Sequence, residues 1–293
     1  MTVYDKLFQC LKIKIYEIIM TLSIALYTIL FTLEDKTICK NKYVDMFIMW
    51  FCLLLKSDFL DENDIFFLVV DKHTRDFLFN HTVFLRLCRK IKFKINFTNF
   101  ISQPKTLLEG CMLKYTNYNQ IVDCQKDVIM YTDIDVLLVK SIKYLINQMA
   151  PNSIIINEEA TNKEYTIDIP KSEMEEIVNY FPNYKGLSAG KFIVYGKQLY
   201  CDLCIMINDY NKIKKTDYYT LEQPFFNRAV YNKAVKKELI LQEINSSIVQ
   251  SENYDNTNNN TLIVDCCGGP GEQDPHYERI LDKFLLILMS EHC

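Results

Sequence analysis

The sequence is short of the residues that make chains flexible or fibrous. It has 7 Gly and 7 Pro in 293 residues, which excludes collagen-like and linker-dominated chains. Hydrophobic residues make up 49%, too many for a disordered chain. There is no excess of positive charge: 33 Lys and Arg against 37 Asp and Glu give a formal net charge of −4, which argues against nucleic acid as a partner. There is also no cysteine framework. The 11 Cys are odd in number and scattered, as expected of reduced thiols in a cytoplasmic setting. Cys201 and Cys204 form the one CxxC and lack the second pair that a zinc site needs. Finally, the longest uncharged N-terminal run, Ile18 to Leu33, is 16 residues, short of the roughly 20 that span a bilayer. An amphipathic helix over residues 1–20 followed by a buried strand from Ile24 is the favoured reading. A membrane anchor through the same segment is the alternative, with Lys6, Lys12 and Lys14 before it.

What is abundant is Lys (28 of the 33 cations), Ile (33) and Asn (23), against 6 Ala. Codons for the first three are AT-rich, so the skew reads as genome bias. Sequons at Asn80, Asn96, Asn245 and Asn259 are expected by chance at this asparagine content.

The order of elements points to one α/β domain, with a nucleotide-binding half over 24–150 and a second half over 151–293. A strand from Ile24 is followed by a helix over Asn41 to Lys56 and an apolar strand over Asp64 to Val70. A helix from His73 to Arg89, an alternating strand from Ile91 to Phe97, a helix after Pro104 and a strand over Asp127 to Thr132 complete the first half. This β-α alternation predicts a mostly parallel sheet flanked by helices. The second half is less regular. Strands are expected at Ser153–Ile156, Gly190–Tyr195, Glu238–Gln242 and Thr261–Val264, and helices at Lys171–Phe181, Gln198–Asp209, Gln223–Tyr231 and Tyr277–Met289.

The sharpest motif is Tyr131-Thr132-Asp133-Ile134-Asp135, directly after a buried strand. Ligands of open α/β sheets bind beyond the carboxyl ends of strands. Two Asp at i and i+2 of an extended segment project to one side, where their hard oxygens suit Mn²⁺ or Mg²⁺. Such a cation offsets charge developing on a departing diphosphate. The plainer reading is a pair of strand-terminating turn residues. Gly268-Gly269-Pro270-Gly271 uses three of the seven glycines. Its amides could hold phosphate oxygens, or it is a simple turn; it lacks the Gly-Lys-Ser/Thr ending of a P-loop.

Around these motifs the chain resembles the nucleotide-sugar glycosyltransferases of the GT-A fold, particularly the glycogenin and galactinol-synthase type. Tyr131 to Ile142 resembles that family's strand-DxD-strand signature, and Leu113-Lys114-Tyr115 its helix with a basic residue near the nucleotide. Tyr27, Thr28 and Leu30 lie in the counterpart of the strand whose end meets the nucleobase. Ser188-Ala189-Gly190 resembles the segment beside the donor sugar, and Glu222-Gln223 the acidic residue and Gln near sugar and acceptor. Asp265, followed by Gly268 and Gly269, stands where the family has a His that completes the metal site; His276 is a nearby substitute. The family's Lys-Pro-Trp tail is absent, and Ser188 and Glu222 replace Asn and Asp.

The resemblance implies a metal-dependent glycosyltransferase, moving a sugar from a nucleotide diphosphate donor, a UDP-sugar, to a hydroxyl acceptor with retention of configuration. Asp133, Asp135 and Asp265 would hold Mn²⁺ or Mg²⁺, and Lys114 would neutralise phosphate. Ser188, Glu222 and Gln223 would position the sugar and acceptor. Two alternatives remain: a degenerate, non-catalytic nucleotide-sugar binder, and a haloacid-dehalogenase-like phosphatase using Asp133. The phosphatase motif wants Thr or Val where this chain has Leu137.

Overall fold

The computed structural model describes residues 22–31, 42–100, 102–159, 169–213, 221–244, 249–250, 260–266 and 276–289. The expected helix over 1–20 and the glycines Gly268, Gly269 and Gly271 lie outside the described residues.

The strand β1 (Ile24–Leu30) is buried along its whole length. It pairs in parallel with β2 (Ile65–Val70) on one side and β4 (Val128–Thr132) on the other. The second half of the long apolar run is therefore the middle of a sheet. Among the described residues no helix is long and apolar enough to cross a membrane. With β3 (Lys94–Thr98), β6 (Ser153–Glu159), β7 (Gly186–Tyr195) and β8 (Ile240–Glu243), these strands form a seven-stranded sheet of order β3-β2-β1-β4-β7-β6-β8. Only β7 runs against the rest, pairing antiparallel with both β4 and β6. A smaller sheet, of order β5-β10-β9, joins β5 (Val136–Leu138), β10 (Ile263–Asp265) and β9 (Val249–Gln250).

Side chains of β1 alternate between two cores, one on each face of the main sheet, as the period of a strand requires. Leu26 and Leu30 enter the first core, with α1 (Lys42–Lys56) and α10 (His276–Met289). Nine residues of α1 are buried, and the rings of its Trp50, Phe47 and Phe51 pack against Phe66 and Phe84. Ala25, Tyr27 and Ile29 enter the second core, under α4 (Leu107–Thr116), α8 (Lys197–Lys212) and α9 (Gln223–Val235).

The expected helix His73–Arg89 is two helices, α2 (Lys72–Asn80) and α3 (Thr82–Cys88), broken at His81. His81 leaves the helical region at ψ 112°, and its Nδ1 accepts from Phe84 N at 3.4 Å to start α3. The short helices α5 (Tyr118–Val122) and α6 (Lys143–Ile146) carried too little periodicity to be expected; α7 (Lys171–Tyr180) matches its sequence reading. Gly196, at φ +122°, makes the turn from β7 into α8 that a residue with a Cβ would make only under strain.

Candidate functional site

The main sheet gives way to the smaller one at the carboxyl end of β4, where the chain turns through Asp133 and Asp135 into β5. The turn is fixed on three sides. Asp133 N donates to Gly190 O at 2.7 Å, Cys266 N donates to Asp135 O at 2.9 Å, and Val136 N donates to Asp133 O at 3.2 Å. From α1, Trp50 Nε1 donates to Val136 O at 2.9 Å. Thr28 Oγ1 donates to Thr132 O at 2.6 Å, securing the last residue of β4.

The wall on the second core is built around Lys114, whose side chain is 2% exposed. Its Nζ donates to Glu222 Oε1 at 2.7 Å and to Ala189 O at 3.0 Å, and lies 3.8 Å from Asp133 Oδ1. It also sits 4.6 Å from the centre of the Tyr131 ring. Burial works against the ammonium, but Asp133 and then Glu222 outweigh it and hold the Lys114 pKa above the ordinary lysine value. Asp133 is recessed yet keeps 39% of its side chain in solvent. Its desolvation raises the carboxyl above the usual range; Lys114 opposes that and Asp135 adds to it. The Tyr131 hydroxyl donates to Asp133 Oδ1.

Glu222 enters this wall just before α9, after Leu221, a non-glycine residue held at φ +53°. Gln223 Oε1 accepts from Ala189 N at 3.4 Å. Asn227, one turn on, clamps the same strand: its Oδ1 accepts from Leu187 N at 2.7 Å and its Nδ2 donates to Leu187 O at 2.9 Å.

Ser188, Ala189, Gly190 and Lys191 form a bulge in β7. Between the pairs Ile156–Phe192 and Glu158–Leu187, β6 has one residue and β7 has four. The bulge brings Gly190 under Asp133, where an added Cβ would lie 2.9 Å from Asp133 Oδ2. Glycine is needed here for the close approach.

The wall on the first core is made by the bulge and β10. Lys191, 3% exposed, donates from Nζ to Asp265 Oδ2 and lies 3.5 Å from Ser188 Oγ. Antiparallel pairing of β10 with β5 sets Asp265 opposite Val136. At the start of α10, His276 Nε2 lies 3.2 Å from Asp135 Oδ2.

The structure thus brings together Asp133, Asp135, Lys114, Ser188, Ala189, Gly190, Glu222, Gln223 and Asp265. It does not bring Tyr27, Thr28 or Leu30 to the site surface: all three are 0–1% exposed inside the sheet. They support the site from behind. The Tyr27 hydroxyl donates to Lys114 O at 3.2 Å and accepts from the Tyr200 hydroxyl at 2.6 Å. In a central parallel strand both faces are apolar, so the sequence pattern does not tell a wall from a core position. Lys191, Asn227 and Trp50 are the site residues that sequence reasoning missed. Asn and Lys are common in this chain, and the bulge that turns Lys191 inward leaves no local signature.

Against this geometry, a divalent cation fits Asp133 and Asp135. Lys114 bonds directly to Glu222 and Lys191 to Asp265, while Asp133 has Lys114 only at 3.8 Å, so among the described residues the two DxD carboxylates carry more negative charge than their neighbours offset. Asp265, expected as a third ligand, accepts a hydrogen bond from Lys191. Among the described residues no three His, Cys, Asp or Glu side chains converge as a metal cage. Two carboxylates are nonetheless what Mg²⁺-type sites offer when a ligand's phosphates supply the remaining oxygens.

No protein-family model and no curated protein sequence matches the chain. Among solved structures, the crystal structure of mouse xyloside xylosyltransferase 1 in its apo form is similar. It superposes with a TM-score of 0.50, covering 83% of this chain and 97% of that one at 12% identity. The fold is GT-A-like. This likeness concerns architecture, a mixed and mostly parallel sheet flanked by helices.

Proposed function

We propose that the protein is a glycosyltransferase that takes a sugar from a nucleotide diphosphate donor, a UDP-sugar, and delivers it to a hydroxyl acceptor. The observation that carries this reading is the Asp133–Asp135 turn at the carboxyl end of β4, set between the buried Lys114 and the β7 bulge. A solved structure of similar fold is a xylosyltransferase, which fits a nucleotide-sugar donor. The narrower kinship with the glycogenin and galactinol-synthase type, and with it retention of configuration, rests on the sequence motifs.

Asp133 and Asp135 would hold Mn²⁺ or Mg²⁺. When bound, the cation supplies Lewis-acid neutralisation of the diphosphate. The chain's own residues do the rest. Lys114 adds a fixed positive charge behind Asp133 and ties α4 to Ala189 O in the bulge. Gly190 lines the approach to the anomeric carbon, the buried Ser188 and Ala189 shape the bulge beneath it, and Gln223 and Asn227 hold the bulge in register. Glu222 is buried against Lys114, so its part is to orient that ammonium. In transfer the bond from the anomeric carbon to the diphosphate oxygen breaks, and one to the acceptor oxygen forms. The acceptor proton leaves on the departing diphosphate, and no protein base is required.

The test is a thermal-shift screen across nucleotide sugars with and without Mn²⁺, followed by a donor-hydrolysis assay. A UDP-sugar that stabilises the fold by mass action and releases UDP supports the proposal. Stabilisation without turnover makes the protein a binder only, and no response to any nucleotide sugar contradicts the nucleotide site.

A further inference from the structure

We propose that Lys191 binds the diphosphate of the donor and that Asp265 positions its ammonium. This rests on the nucleotide-sugar reading above and names a residue that its motifs do not include. Lys191 lies on the bulge that carries Ser188 and Gly190, and it pairs across strands with Thr132, the residue just before Asp133. Its side chain is 3% exposed and that of Asp265 is 11% exposed. A buried ion pair is no general device for stability, since well-packed apolar residues of similar volume do as well or better. Keeping a lysine there, beside the turn that gathers Asp133 and Asp135, therefore calls for a charge that works on something else.

The chemistry of the group points the same way. An ammonium has three N–H donors. Among the described residues Asp265 Oδ2 takes one, and Ser188 Oγ at 3.5 Å is at best a long second partner, so an N–H remains for a ligand oxygen. Besides Asp135, which would hold the cation, and His276 on it, the first-core wall offers the carboxylate of Asp265, which alone would repel a diphosphate. Among the described residues Lys191 is the lysine of that wall, beside His276 on Asp135, as Lys114 is the lysine of the other. A diphosphate between the two walls would then meet an ammonium from each side. Asp265 keeps the long Lys191 side chain from folding elsewhere.

The experiment uses the full chain with Mn²⁺ and compares UDP with uridine by equilibrium titration. The variants are Lys191→Met and the double variant Lys191→Met with Asp265→Asn. The second leaves no unpaired buried charge, should the first fail to fold. Loss of a charged hydrogen bond to phosphate should weaken UDP about tenfold to a hundredfold and leave uridine unchanged. Lys191→Arg, which restores a cation, should recover most of the affinity. Unchanged UDP affinity in the double variant overturns the proposal, and so does a parallel loss of UDP and uridine, which would mark a structural role. If the wild-type chain binds UDP neither with nor without Mn²⁺, the glycosyltransferase reading itself fails and this inference falls with it.

Discussion

The two walls of the site hold their buried lysines in different ways. On the second-core wall, Lys114 faces two carboxylates and a backbone carbonyl, Glu222 at 2.7 Å, Ala189 O at 3.0 Å and Asp133 at 3.8 Å. On the first-core wall, Lys191 faces one carboxylate, Asp265, and a distant hydroxyl, Ser188. Lys114 is thus over-supplied with acceptors and is part of the framework. Lys191 has fewer acceptors among the described residues, which is why it is the one proposed to reach the diphosphate. Both ammoniums add positive charge to the site, and the number of protein acceptors sets how firmly each is held.

The largest effect should come from breaking the framework side. Lys114→Met leaves Glu222 buried without its partner and should cost about 3–5 kcal/mol, read by urea denaturation. Adding Glu222→Gln should recover much of that. An equal loss in Lys191→Met with Asp265→Asn, which leaves no unpaired buried carboxylate, would erase the contrast between the walls. Asn227→Ala removes both hydrogen bonds to Leu187 and should cost about 1–3 kcal/mol, with the β7 bulge loosened in hydrogen exchange before the strand ends are. Gly190→Ala should leave stability nearly unchanged but displace the Asp133 carboxylate. Mn²⁺ affinity should then fall about tenfold, as measured by electron paramagnetic resonance. The smallest effect is expected from Asp265→Asn, with Mn²⁺ affinity within about twofold of wild type. A loss like those that follow removal of a metal's supporting residues, about tenfold or more, would return Asp265 to the metal site.

Most of the fold was legible because its strands are apolar runs bounded by charged or turn residues, as in Ile65–Val70 ending at Asp71. The DxD turn was legible for the same reason: two acids directly after a fully buried strand have few structural uses. Lys114 was found through its place in a motif; its chemistry alone would not single it out among 28 lysines. Lys191 was missed because inward lysine and outward lysine look alike in sequence. What turns it inward is a register change between β6 and β7, a property of two strands paired across a long connection. Tyr27, Thr28 and Leu30 were expected at the ligand because their strand ends at the site, yet side-chain burial shows them packed inside the sheet. His81, by contrast, broke an apparently continuous helix by capping its second half, a role that a helical period does not reveal.

The central claim is that Asp133 and Asp135 form the cation and diphosphate centre of a sugar transferase. It is tested most directly by UDP release from a UDP-sugar in saturating Mn²⁺, comparing wild type with Asp135→Asn. The account predicts turnover in the wild type and a loss on the order of a thousandfold in the variant, the several kcal/mol expected of metal-assisted charge stabilisation. Full turnover by Asp135→Asn would contradict it.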